Sequence, residues 1–135
     1  MTLNLILDLQ RHLTQNPDPD GIEARSALLG AQQILMSGAN VLSSVSDRWT
    51  FASLSVAECL DRLVGDLSDE VTLTVDVSDL TADVAEEMRE PIRSLLRELA
   101  DLYADAASED ASPPWRRLAW SSAAQHLDRA LRELP

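Results

Sequence analysis

Apolar positions recur every three or four residues along most of this chain, the period of a helix that buries one face. Three stretches carry the pattern best. Ile22, Leu28, Ala31, Leu35, Gly38, Leu42 and Val45 form one stripe; Val84, Met88, Ile92, Leu95, Leu99, Leu102 and Ala106 form a second; Trp120, Ala123, Ala124, Leu127, Ala130, Leu131 and Leu134 form a third. In the first, Ala27, Gly30, Ala31 and Gly38 keep the helix slim, so a neighbouring helix can come close. A helical Gly costs about 1 kcal/mol relative to Ala, so two of them point to close packing that offsets the cost. Asp20 and Glu23 have the spacing of a capping box ahead of this helix. In the second stretch Asp79 or Thr81 is placed to cap, and the stripe keeps its phase across Pro91, which predicts one continuous, kinked helix. In the third, Ser112 is expected to cap and Pro113 to occupy the first helical position.

The remaining stretches are less regular. Within residues 3–14, Leu3, Leu5, Leu7 and Leu9 alternate as in a strand, while Leu5, Ile6, Leu9 and Leu13 fit a helical stripe; Leu is a good helix former without β-branching, which favours helix. Asn16 to Gly21, with two prolines, breaks it. Residues 44–55 are Ser-rich and read as a loop folded onto the core through Trp49 and Phe51. Ser55 and Glu58 then have the spacing of a second capping box, opening a short helix with Val56, Leu60, Leu63, Val64 and Leu67 inward. Val71, Leu73, Val75 and Val77 alternate with polar residues, so 70–77 reads as an extended or strand segment. It would pair within the chain or with a second copy across a two-fold axis. The expected architecture is all-α: an irregular four- to five-helix bundle with one extended segment near 70–77, in a single domain over 1–135.

Composition changes this picture in three ways. The 135 residues contain 23 acids, 11 Arg and no Lys, for a net charge of −12, which disfavours nucleic-acid binding. The charge is uneven: residues 46–110 hold 17 acids against five Arg, whereas 111–135 hold four Arg against two acids. Arg116, Arg117, Arg129 and Arg132 are therefore expected to face the chain's own acidic middle or an acidic partner. Arg without Lys fits a GC-rich bacterial genome. No apolar run approaches the ~18 residues of a membrane span, and the start of the chain lacks a basic signal region. A single cysteine, Cys59, fits a reducing, cytoplasmic setting and reads as a small buried hydrophobe.

Motifs that carry chemistry are missing from the reading. Four isolated glycines make no phosphate-cradling loop, and no Gly-x-Ser-x-Gly elbow occurs. His12 and His126 lack the Glu-x-x-His spacing of a di-iron bundle, and the acid-rich stretches lack EF-hand order. No catalytic, cofactor-binding or metal-binding residue is therefore assigned, and no cofactor is expected. The segment Trp115-Arg116-Arg117-Leu118-Ala119-Trp120 stands out. Positions 115 and 120 lie about 140° apart on a helix, so both indoles cannot face one core; Trp120 is expected inside. Trp and Arg are the residue types enriched at contact hot spots. Trp115, Arg116 and Arg117, with Trp49, are thus candidate partner-binding residues. The leading functional expectation is a non-enzymatic interaction or regulatory protein binding a protein partner or itself as a homodimer. A helical bundle holding a small molecule and an acidic DNA mimic are the alternatives.

Overall fold

The computed structural model describes residues 2–41, 46–64, 81–109 and 111–134. They form five helices: α1 (Thr2–Gln15), α2 (Ile22–Val41), α3 (Ser46–Val64), α4 (Ala82–Ala107) and α5 (Pro114–Glu133), with no strand among the described residues. The expected extended segment at 70–77 lies outside them. Helices α2, α3, α5 and α4 contact one another in that cyclic order, while the diagonal pairs α2/α5 and α3/α4 do not touch among the described residues. This is a four-helix bundle, and α1 packs outside it against α2 and α4.

Side-chain pairings give the directions. Gly38 meets Trp49 and Gln32 meets Ser53, so α2 and α3 are antiparallel. Glu58 meets His126 on the antiparallel α3/α5 pair, and Arg93 meets Leu131 and Leu134 on the antiparallel α4/α5 pair. Gln10 Nε2 donates to Ser94 Oγ at 3.0 Å and Thr14 Oγ1 to Glu98 Oε1 at 2.6 Å, so α1 runs parallel to α4.

Each helix follows from where its apolar residues fall. In α1, Ile6, Leu9 and Leu13 are buried and Leu7 is exposed, which is the helical stripe and not the strand alternation. In α2 the small residues Ala27, Gly30, Ala31 and Gly38 are buried as expected, and Ala24 is buried with them; Ile22, placed on that stripe by its spacing, is instead 58% exposed at the helix start. Leu42 and Val45 lie outside the described residues. Helix α4 is capped by Thr81, whose Oγ1 accepts from Val84 N at 3.3 Å, and it runs unbroken through Pro91. Met88 and Ile92 are both buried on either side of that proline, so the core face spans it in phase. In α5 the cap is one residue later than expected: Pro113 is the N-cap and Pro114 the first helical residue.

The largest difference from the sequence reading concerns 46–64. Residues 46–55 are the first half of α3 and not a loop, and Ser55 is a mid-helix residue, 4% exposed, and not a cap. The physical reason is packing. Trp49, Ala52, Val56 and Cys59 are wholly buried at helical spacing. Burying large apolar side chains contributes about 1.5–3 kcal/mol each, against a helix-propensity deficit of at most about 0.7 kcal/mol per Ser. Ser53, also buried, turns its hydroxyl onto Gln32 O at 3.4 Å, so its small polar group is satisfied at the α2/α3 contact. Trp49 is a core residue as expected, but Phe51 is 53% exposed.

Gly38 shows how close α2 and α3 come. A Cβ there would overlap Trp49 Cε3 and lie 2.5 Å from Cζ3. The indole is wholly buried and rigid, so it has no room to yield. Overpacking of this kind costs about 1–3 kcal/mol, more than the ~1 kcal/mol of helix propensity that Ala would add. Gly38→Ala should therefore lower stability, by up to about 2 kcal/mol in urea unfolding, whereas Asn40→Ala, at an exposed position of the same helix, should not.

Candidate functional site

The Trp- and Arg-rich segment forms the first two turns of α5. Pro113 and Pro114 fix the backbone entering the helix, since neither needs to donate an N–H to it. Arg117 N donates to Pro113 O at 3.1 Å, closing the first turn. From that turn Trp115 and Leu118 point outward, 56% and 72% exposed, while Trp120 turns inward at 6%. One helical turn separates Trp115 from Leu118, so they share one apolar patch.

Arg116 lies between the two indoles. Its guanidinium carbon is 5.5 Å from the Trp115 ring centroid and 5.6 Å from that of Trp120. Its Nε donates to Asp20 Oδ2 at 3.0 Å, and its Nη2 meets the same oxygen. Asp20 sits in the α1–α2 connection. That connection is held by Asp18, which accepts from Asp20 N through its side chain at 3.0 Å and from Gly21 N through its carbonyl at 3.0 Å. A half-exposed ion pair of this kind contributes about 0.2–1 kcal/mol, and each cation–π contact about 0.5–1 kcal/mol. Their larger effect is positional, because Arg116 is held from three sides. Arg117 Nε donates to Ala107 O at 3.1 Å, which ties the same turn to the end of α4.

Two concavities flank the patch. On the α3 side, a cleft of about 50 Å3 lies among Asp20, Arg62, Leu63, Trp115, Arg116 and Trp120. On the α4 side, an open groove of about 380 Å3 is lined by Ala107, Pro114, Arg117, Leu118 and Ser121. Among the sequence candidates, Trp115, Arg116 and Arg117 therefore come together. Trp49 does not join them: it is wholly buried against Gly38, so the expectation of a surface contact through Trp49 is corrected to a packing role. Spacing alone assigns neither Arg62 nor Asp20 to this site, and it reads Asp20 only as a cap ahead of α2. Asp20 and Arg116 are 96 residues apart, and no local pattern links them.

The basic end of the chain divides. Arg129 Nη1 and His126 Nδ1 approach Glu58 Oε2 of the acidic middle at 3.6 and 3.2 Å, but Arg116 goes to Asp20, in the first third of the chain. Farther inside, Tyr103 is fully buried, and its phenol is held well above the usual range by burial first and then by nearby Cys59 and Asp20. Burial also pushes the Cys59 thiol up to about 12. Both groups hold their protons at neutral pH, and a nucleophilic thiolate is not formed. No group of three or more His, Cys, Asp or Glu suited to a metal occurs among the described residues. Among them no helix is long and apolar enough to cross a membrane. Comparison with protein-family models, with curated proteins and with solved structures returns no match.

The Cys59 shift sets a pH dependence. Unfolded, the thiol loses its proton near its ordinary value of 9.0; folded, it keeps it to about 12. Above pH 9 the folded state therefore binds more protons than the unfolded state. This contribution is intact below pH 9 and is lost as pH rises, by about 1.4 kcal/mol per unit. Urea unfolding at pH 8, 9 and 10 should show stability falling over that range, with a shallower fall in Cys59→Ala.

Proposed function

We propose that this chain is a non-enzymatic interaction protein and that the face made by the start of α5 is where its partner binds. The observation that carries the reading is the pair Trp115 and Leu118, more than half exposed one turn apart, beside an Arg that is already immobilised. Large exposed apolar side chains next to an ordered Arg are the composition of a contact hot spot. An Arg fixed before binding gives up little rotamer freedom on binding, so more of the contact energy appears as affinity. A single cysteine, which makes no intramolecular disulfide framework, supports a reducing, cytoplasmic setting.

Self-association as a homodimer is the second form of the reading. It is favoured by Phe51 and Leu54, 53% and 56% exposed and one turn apart on α3. The near-heptad stripes of α2 and α4 do not argue for it, because their described residues, Ile22 apart, are buried or partly buried within the bundle. A small-molecule site is less well supported: the cleft beside Trp115 holds about 50 Å3, and the larger groove is open to solvent. Drug-sized ligands fill about 300–1,000 Å3. For a DNA mimic, the described acids on α4 are interleaved with arginines, as in the Glu86–Arg89 and Glu90–Arg93 pairs, which breaks a phosphate-like row.

The test is a cross-linking pull-down from the native organism with two baits, the wild-type chain and Trp115→Ala/Leu118→Ser. A protein captured by the wild type and lost by a variant of unchanged melting temperature is the expected result. An identical set of captured proteins on both baits contradicts the α5 face.

A further inference from the structure

We infer that the outward face of α2 takes a second copy of this chain, antiparallel across a two-fold axis beside Leu29, a placement that rests on the homodimer form of the reading above and moves its contact from α3 to α2. A quarter of the chain is charged, yet no Asp, Glu, Arg or His occurs from Ser26 to Ser46, which takes in all of α2 after Arg25. The two charges of α2 lie at its start and are turned back. Arg25 Nη2 reaches Asp20 O at 3.5 Å, and the Glu23 carboxylate lies against Gly21. The side of α2 away from the core carries a line of large apolar residues. Ile22, Leu29 and Met36 are seven residues apart, so they stay within about 40° of one direction. Ile22 and Met36 are 58% and 54% exposed, and Leu29 is partly buried. This line is opposite the buried Ala27, Ala31, Ile34 and Gly38. Helices α1 and α3 both pack on α2 without touching each other among the described residues, which leaves the line open between them.

The spacing is self-complementary. In an antiparallel two-fold contact centred on Leu29, Ile22 lies level with Met36 of the second copy, Leu29 with Leu29, and Met36 with Ile22. Apolar meets apolar at all three levels. At the same register Ser26 lies level with Gln32 of the second copy, twice by symmetry, and a hydroxyl and an amide there pair as donor and acceptor. Arg25 lies level with Gln33, so α2 sets no like charges against each other. Met36, held by Gln32 Nε2 at 3.7 Å from its sulfur, is a flexible side chain that shapes itself to an opposing Ile.

Charge favours this face over the others for self-association. Two chains of net charge −12 repel each other, and a contact that brings more acids together adds to that cost. The exposed side of α3 around Phe51 and Leu54 carries Asp47, Arg48, Glu58, Asp61 and Arg62 and is net acidic, whereas α2 beyond Arg25 is neutral. A nucleic acid or an anionic membrane finds no arginine on this face except Arg25, whose guanidinium is directed to Asp20.

The experiment is sedimentation equilibrium of the full chain and of Ile22→Gln, Met36→Glu and Phe51→Glu, in low and high salt. The expected result is a wild-type dimer at about 100 µM. Its dissociation constant rises at least tenfold in Met36→Glu and at least threefold in Ile22→Gln, and Phe51→Glu leaves it unchanged. Salt tightens the dimer, because it screens the repulsion between two acidic chains and leaves the apolar contact in place. Each variant melts with the wild type at a concentration where both are monomeric. On mild oxidation Leu29→Cys links two copies through a disulfide and Asn40→Cys does not, while Cys59, wholly buried, takes no part. A chain that is monomeric at about 100 µM overturns the inference together with the homodimer form, and leaves the α5 face to its own pull-down. A dimer broken by Phe51→Glu and not by Met36→Glu keeps the homodimer and overturns the α2 contact. A dimer that loosens as salt rises, or Leu29→Cys that does not cross-link, overturns it as well.

Discussion

The bundle depends on α5 being held between two helices that do not touch each other. Among the described residues α3 and α4 are joined only through α5 on that side of the structure, and α5 is fastened at both ends by arginine. At its start, Arg116 reaches Asp20 in the α1–α2 connection. At its end, Arg93 of α4 donates from Nη1 to Leu131 O at 2.8 Å and Leu134 O at 2.7 Å. The last carbonyls of a helix have no intrahelical donor, and they carry its negative dipole end, so a guanidinium there satisfies both needs. Between these fastenings the helix buries Trp120, Ala123, Ala124, Leu127 and Ala130. The alanines let α5 sit close to both neighbours, and burial supplies most of the energy while the arginines fix its position.

This division of labour explains why the first turn of α5 can be apolar on the outside. The core is already closed by Trp120, and Arg116 is already oriented, so Trp115 and Leu118 are not needed to bury anything. Their exposure therefore counts as a feature of the surface and not as a defect of packing. The same turn carries three separate restraints, from Asp20, from Pro113 and Pro114, and from Ala107 through Arg117. A rigid platform with an exposed indole needs little reorganisation to bind, which is the physical content of preorganisation.

Much of the helical frame could be read from spacing. The stripe of α4 survived Pro91 because Met88 and Ile92 keep the same face, and α5 was placed to within one residue of its start. The misreading of 46–55 has a specific cause. Serine favours caps and turns in isolation, and four of them within 44–55, around Trp49 and Phe51, outweighed the period. Yet Trp49, Ala52, Val56, Cys59 and Leu63 recur at three and four, and that spacing was the signal to follow. The site was half legible. Trp115, Arg116 and Arg117 were marked by composition, and Trp49 was grouped with them only because it is aromatic; its burial depends on Gly38, a partner on another helix. Arg62 and Asp20 join the site through the α3/α5 contact and the α1–α2 connection, which are tertiary relations without a local pattern.

The central claim is that Trp115 is a surface residue on a helix whose fold does not need it. The chain has three tryptophans, of which Trp49 and Trp120 are buried and Trp115 is not, so acrylamide quenching separates them. The account predicts a readily quenched fraction of about one third of the emission, one indole in three. That fraction should vanish in Trp115→Phe, with stability changed by no more than about 1 kcal/mol. A quenching profile that Trp115→Phe leaves unaltered, or a loss of several kcal/mol on that substitution, would contradict it.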